Sequence, residues 1–147
     1  MYILKNILII VLAVAFSACN NNCIIKMTDS DIIGNWVGSF DRAENKFKHS
    51  SLPSPNILFR KDHSFEAKNI PLFIGNSWEP ELFNFTGSWT IQHENDESKS
   101  YQVLLDYTLN GIHWGQSLPI GNYKKRVGLK LGIDPNLNTE ILFYKEK

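Results

Sequence analysis

The chain has few cysteines, no excess of either charge and no long helical pattern. Only Cys19 and Cys23 are cysteines among its 147 residues. Basic and acidic residues number 15 each, so the formal net charge is zero. A general nucleic-acid binder needs an excess of Lys and Arg to meet the phosphates. The composition therefore argues against nucleic acid as a partner, and the length predicts one domain.

Recognisable catalytic sequences are also missing. The chain contains no Gly-x-Ser-x-Gly, no phosphate-binding loop and no dinucleotide fingerprint. Its four histidines do not follow a metal-ligand spacing such as His-x-x-x-His, and three of them fall in predicted turns or strand ends. They are His49, His63, His93 and His113. We therefore predict no enzyme activity, no metal site and no cofactor.

The first residues are typical of a targeting segment. Lys5 precedes an unbroken apolar run of ten residues, 7–16, which is the length of a signal-peptide core. This run is too short to span a bilayer core of about 30 Å. A buried N-terminal helix and an uncleaved membrane anchor are the alternatives.

The residues that end this segment, Phe16-Ser17-Ala18-Cys19, resemble the bacterial lipobox. The resemblance implies cleavage before Cys19 and attachment of acyl chains such as palmitate to that cysteine, with the membrane as partner. It predicts a signal peptide over 1–18, a lipidated tether over 19–27 and a folded domain over 28–147. Asn20 stands where an aspartate is associated with inner-membrane retention, so we expect the outer membrane, facing the periplasm. Cys23 is then a spare thiol of the tether or forms an intermolecular disulfide.

Beyond the tether, apolar residues recur with a period of two, which indicates β-strands. A helical turn comes first, since Thr28 and Asp31 form a loose capping box and Gly34 follows closely. About eight strands and no longer helix predict an all-β fold, a single antiparallel up-and-down β-barrel. The predicted strands are 35–40, 57–60, 65–68, 83–93, 101–109, 112–116, 126–133 and 139–145.

Two segments that contain proline and glycine are predicted as loops. Residues 117–125 contain Pro119 and Gly121, and residues 70–82 contain Pro71, Gly75 and Pro80. The second segment is unusually apolar for a loop. It either forms a lid over one end of the barrel or lies on a partner or membrane surface.

The helical turn followed by Gly34-x-Trp36 on the first strand resembles lipocalins and small bacterial lipocalin-like lipoproteins. The resemblance implies a calycin-type barrel. In that family the tryptophan closes the narrow end of the barrel, and a basic residue near the C-terminus packs over it. Gly34 and Trp36 are then a structural plug, and Lys145 or Arg126 is the residue that covers it.

Two classes of function remain open from the sequence. In the first, a small apolar ligand binds under the 70–82 lid, surrounded by the aromatic residues Phe73, Trp78, Phe85, Trp89 and Trp114. These rings could instead fill the interior completely, as in small barrels with a solid core. In the second, the domain is a protein-interaction module of the cell envelope, such as an inhibitor, an immunity protein or an assembly factor. It would use its polar loops or the apolar Leu72-Phe73-Ile74 segment.

Overall fold

The computed structural model describes residues 27–40, 53–72, 81–93, 100–134 and 139–147. One helical turn leads into eight strands, each antiparallel to the next, and the last strand pairs with the first to close a barrel. These elements are α1 (Asp29–Ile32), β1 (Gly34–Phe40), β2 (Asn56–Phe59), β3 (Ser64–Leu72), β4 (Glu81–His93), β5 (Tyr101–Leu109), β6 (Ile112–Tyr123), β7 (Arg126–Asp134) and β8 (Thr139–Lys145). The predicted all-β, up-and-down, eight-stranded barrel is confirmed, and it is compatible with a lipocalin-like fold. Among the described residues, no helix has the length and apolar character needed to cross a membrane.

The up-and-down order gives the barrel two different ends. The closed end carries α1, the start of β1, the turn 60–63 between β2 and β3, and the turn 124–125 between β6 and β7. The open end carries the Asn110-Gly111 turn and the far ends of β1, β3 and β7. The loop predicted over 70–82 is wrong at its two ends, because residues 70–72 belong to β3 and residues 81–82 belong to β4. Residues 73–80 of the predicted lid lie outside the described residues.

The interior is filled by every second residue of the strands. On β5, for example, Leu105, Tyr107 and Leu109 are buried, whereas Asp106 and Thr108 between them are exposed. The buried sets of all eight strands form one continuous apolar cluster. Burial of this apolar surface is the main force that favours the folded barrel. The largest fully buried side chains of the cluster are Trp36, Trp89, Phe59, Phe65 and Phe143.

The sixth strand is longer than the sequence predicted. β6 continues through Pro119 and Gly121 to Tyr123, so the prediction of a loop over 117–125 is wrong. Only Lys124 and Lys125 turn the chain, with positive φ values of 50° and 65°. Two positive φ values in succession are typical of a type I′ turn, which joins the two strands of a hairpin through a two-residue loop. The prediction failed because a strand tolerates proline where one of its edges lacks a hydrogen-bonding neighbour.

Among the described residues, β6 lacks such a neighbour over much of its length. It pairs with β7 only through residues 120–123, opposite 126–129. Residues 112–119 of β6 pair with β5, and no pairing joins them to residues 130–134 of β7, all of which the structure describes. Pro119, which has no N–H to donate, stands where the pairing with β7 ends. We call this opening in the barrel wall, between 112–119 and 130–134, the seam.

Candidate ligand pocket at the open end

Trp36 is built into the core at the closed end. Its side chain is 1% exposed, and its indole Nε1 donates a hydrogen bond of 2.7 Å to the carbonyl oxygen of Ile32. Ile32 is the last residue of α1, so its carbonyl has no partner within the helical turn. The indole therefore satisfies this buried acceptor and ties α1 to β1.

Lys145 covers the same end of the barrel. Its Nζ donates to the carbonyl oxygens of Asp31 at 3.0 Å and Ser30 at 3.3 Å. A cation is favourable beside the last carbonyls of a helical turn, because they carry partial negative charge. A Cβ at Gly34 would lie 2.9 Å from Lys145 Cε, so the glycine makes room for the lysine side chain. Arg126, the other basic candidate, instead lies over a tyrosine ring at 4.7 Å.

Trp89 also belongs to the closed end. Its side chain is 1% exposed, and its Nε1 donates to the carbonyl oxygen of Arg60 at 3.2 Å. The His63 ring stacks on the indole with ring centres 4.7 Å apart. His63 Nε2 in turn lies 3.2 Å from a carboxylate oxygen of Asp29 in α1. Through these contacts Trp89 packs around the β2–β3 turn, at the closed end of the barrel.

A pocket of about 150 Å³ lies at the open end, where the seam separates β6 from β7. Four strands contribute to its walls, and none of the residues that line it is charged. The lining residues are Leu72 of β3, Tyr107 and Leu109 of β5, Trp114 and Gln116 of β6, and Gly132 and Ile133 of β7. The pocket thus occupies the space that a continuous β6–β7 ladder would have closed.

The predicted ligand-binding residues are distributed unevenly around this pocket. Trp114 lines it. Phe85 adjoins it indirectly, since its ring stacks on that of Tyr107 with centres 4.2 Å apart. Trp89 lies at the closed end. Phe73 and Trp78 lie outside the described residues.

Tyr107 is the residue that carries a hydroxyl group among those that line the pocket. The residue is 6% exposed, and its ring is fixed between the stacked Phe85 and the edge-on Phe65, at 4.2 and 6.3 Å. Within the described residues, no group forms a hydrogen bond with the Tyr107 hydroxyl. Burial raises the pKa of Tyr107 above its ordinary value, so the phenol stays neutral at pH 7 and retains a proton to donate. Gln116, the other polar lining residue, uses its Nε2 to bond the backbone oxygen of Ser117 at 3.2 Å.

Sequence reasoning missed Tyr107 and Leu109 as site residues, although a usable signal was present. Their alternation with Asp106 and Thr108 places both on the inward face of β5. They are also the last inward residues before the Asn110-Gly111 turn, and a turn must lie at one end of a barrel. The seam had no such signal, because it depends on where β6 stops pairing with β7.

A second depression, of about 400 Å³, lies on the outside of the barrel across β4, β5 and β6. Its outward side chains include Ser88, Thr90, Asp106 and Ser117. They alternate with the buried positions of the same strands, so this depression does not lead into the interior. The pocket at the seam, whose lining includes the inward residues Tyr107 and Leu109, is therefore the candidate for a ligand that enters the barrel.

No three His, Cys, Asp or Glu side chains converge as metal ligands would in the part of the chain that the structure describes. Comparisons with known proteins find no matching family model, no matching curated protein and no matching solved structure. We therefore infer function from the pocket itself and from the N-terminal sequence.

We expect Trp36→Phe to destabilise the barrel, because phenylalanine keeps an aromatic ring but cannot donate to the Ile32 carbonyl. A buried acceptor left unpaired costs about 1–3 kcal/mol of the free energy of unfolding. Trp114→Phe is the matched control: Trp114 is 44% exposed, and such surface substitutions usually stay within about 0.5 kcal/mol. Thermal unfolding followed by circular dichroism measures both variants. Equal losses would contradict a special role for Trp36.

Proposed function

We propose that this protein is a membrane-anchored lipoprotein of the bacterial cell envelope whose non-catalytic barrel binds a small apolar molecule at its open end. The binding proposal is carried by the pocket at the seam: its walls are uncharged, and no described residue bonds the hydroxyl of Tyr107, one of its lining residues. Pockets of this character, mainly apolar with a few placed polar groups, are the usual form of small-molecule sites.

The size of the pocket limits the ligand. Pockets for drug-sized molecules measure roughly 300–1,000 Å³, whereas this one measures about 150 Å³. An engineered cavity of about 150 Å³ in another protein holds one benzene molecule. The remaining interior is occupied by core side chains such as Trp36, Phe65 and Trp89. A single ring or a short alkyl chain therefore fits within these walls, and an entire lipid does not.

Binding of toluene to the full-length protein in lipid nanodiscs tests this proposal. The chain has four tryptophans, so fluorine NMR of 5-fluorotryptophan-labelled protein can report on each of them separately. We expect toluene to shift the Trp114 resonance saturably and to leave those of Trp36 and Trp89 unchanged, because only Trp114 of these three lines the pocket.

The control compares two tryptophan substitutions on the same strand, β7, at opposite ends of the barrel. Ile133→Trp puts a larger side chain in the wall of the pocket, and we expect it to abolish the toluene effect on Trp114. Val127→Trp makes the same kind of change on β7 near the closed end, at a side chain that is 38% exposed, and should leave the effect intact. No saturable shift in the unmodified protein, or an unchanged shift in Ile133→Trp, would sink the proposal.

A protein-interaction module is the second candidate, and one observation favours it. At the tip of the β5–β6 hairpin, Ile112 is 59% exposed and Trp114 is 44% exposed. Exposed tryptophan is a frequent anchor of protein interfaces, and the unpaired edge of β6 beside it resembles edges to which partners add a strand. If Ile112→Ser removes a copurifying envelope protein and leaves the toluene shift intact, the hairpin tip serves this second function.

The anchor rests on Cys19. We expect Cys19→Ser to abolish incorporation of radiolabelled palmitate and to release the protein from the outer-membrane fraction, since each acyl CH₂ buried in the membrane contributes about 0.8 kcal/mol. Cys23→Ser is the matched control, with one thiol removed four positions further on, and should be labelled normally. Labelling of Cys19→Ser, or its loss in Cys23→Ser, would contradict the assignment.

A further inference from the structure

Resting on the proposed function, we infer that the pocket selects an uncharged ligand that carries a hydrogen-bond acceptor, such as a small ketone, ester or ether, and that the Tyr107 hydroxyl donates to this acceptor. The ligand is thus a single ring or short chain with one neutral oxygen, rather than a plain hydrocarbon. Tyr107 is then the residue that determines specificity, while the apolar walls supply most of the binding.

The position of Tyr107 makes its hydroxyl a fixed donor. Phe85 stacks on the ring at 4.2 Å with 21° between the planes, and Phe65 meets it edge-on at 6.3 Å with 89° between the planes. These two contacts restrict the rotation of the side chain, so little conformational entropy is lost when a ligand binds. A preorganised donor discriminates between ligands better than a mobile one does, because its direction is set in advance.

No described residue bonds the Tyr107 hydroxyl, and this points to an oxygen on the ligand as its partner. Tyr107 is 6% exposed, and polar groups buried to this extent are normally hydrogen-bonded by protein or by ordered water. The pocket is large enough for a water molecule. A hydrocarbon that displaces this water leaves the hydroxyl without a partner, whereas a ligand oxygen replaces the bond that is lost.

Because no lining residue is charged, the pocket favours a ligand whose acceptor is neutral. None of the seven lining residues is Lys, Arg or His. A carboxylate or phosphate that enters such a site loses its hydration and gains no cation in return. Gln116 does not compensate, because its amide is neutral and already donates one N–H to the Ser117 backbone.

Three single-ring probes separate these contributions: acetophenone carries a neutral oxygen, ethylbenzene has almost the same shape without it, and benzoate carries a charge. Each probe is titrated into full-length protein in nanodiscs, and the Trp114 fluorine resonance reports binding. The dissociation constant is calculated from the concentration of free probe in water. We expect Tyr107→Phe to weaken acetophenone about three- to tenfold, the loss of one net hydrogen bond. Ethylbenzene should not be weakened, because Tyr107→Phe removes the hydroxyl that this probe leaves unpaired. Benzoate should bind more weakly than acetophenone throughout.

Tyr101→Phe is the control. It removes the same atom from a tyrosine of β5 that packs on His93, outside the residues that line the pocket, and should leave all three affinities unchanged. The Trp36 and Trp89 resonances verify that each variant is folded. As a measurement that needs no variant, the ring-carbon resonance of ¹³C-labelled Tyr107 should shift with acetophenone and not with ethylbenzene.

The outcomes distinguish the two proposals. If acetophenone and ethylbenzene both bind, and Tyr107→Phe weakens neither or weakens both equally, the pocket is a ligand site and the role of Tyr107 is refuted. If benzoate binds more tightly than acetophenone, the neutral-ligand inference is refuted. If no probe moves the Trp114 resonance, the proposed function fails and the inference fails with it.

Discussion

The hydrogen bond from the Trp36 indole to the Ile32 carbonyl is the interaction on which the rest of the barrel depends. It joins α1 to the first strand inside the core, at 2.7 Å and with Trp36 1% exposed. Lys145, on the strand that closes the barrel against β1, bonds two further carbonyls of the same helical turn. One end of the barrel is therefore filled by its own chain. Any ligand that enters the interior must do so from the other end or through the wall.

The wall provides a route into the interior because the neighbouring strands β6 and β7 separate at the seam. β6 follows β5 up to the hairpin tip, while β7 follows β8, and between them the ladder stops near Pro119. In a sheet, a missing ladder leaves unpaired backbone groups and space, both of which are costly if nothing uses them. Here the space is lined by uncharged residues, among them Leu72, Leu109 and Tyr107. Ile112 and Trp114, at the start of β6 beside this opening, are both exposed.

The strands and the inward face of each could be predicted from the sequence, because a period of two is a local property. On that basis Trp36, Phe85 and Trp89 were correctly expected to point inward. Which end of the barrel each one occupies is not local, since it depends on register. Trp89 faces the turn 60–63 because Ser88 pairs with Ser64. The prediction of a loop over 117–125 was wrong for the same kind of reason. Proline and glycine usually indicate a turn, but Pro119 and Gly121 belong to β6, which continues to Tyr123.

We propose that a small molecule can enter the pocket at the seam, and xenon provides a direct test of this entry. Xenon binds in apolar cavities without needing a hydrogen bond, so its site does not depend on the identity of the ligand. In crystals of the protein pressurised with xenon, we predict an ordered xenon atom between Leu109, Ile133 and Leu72. The absence of xenon from that position, or its binding only among the aromatic side chains of the closed end, would show that the seam is not an accessible apolar pocket.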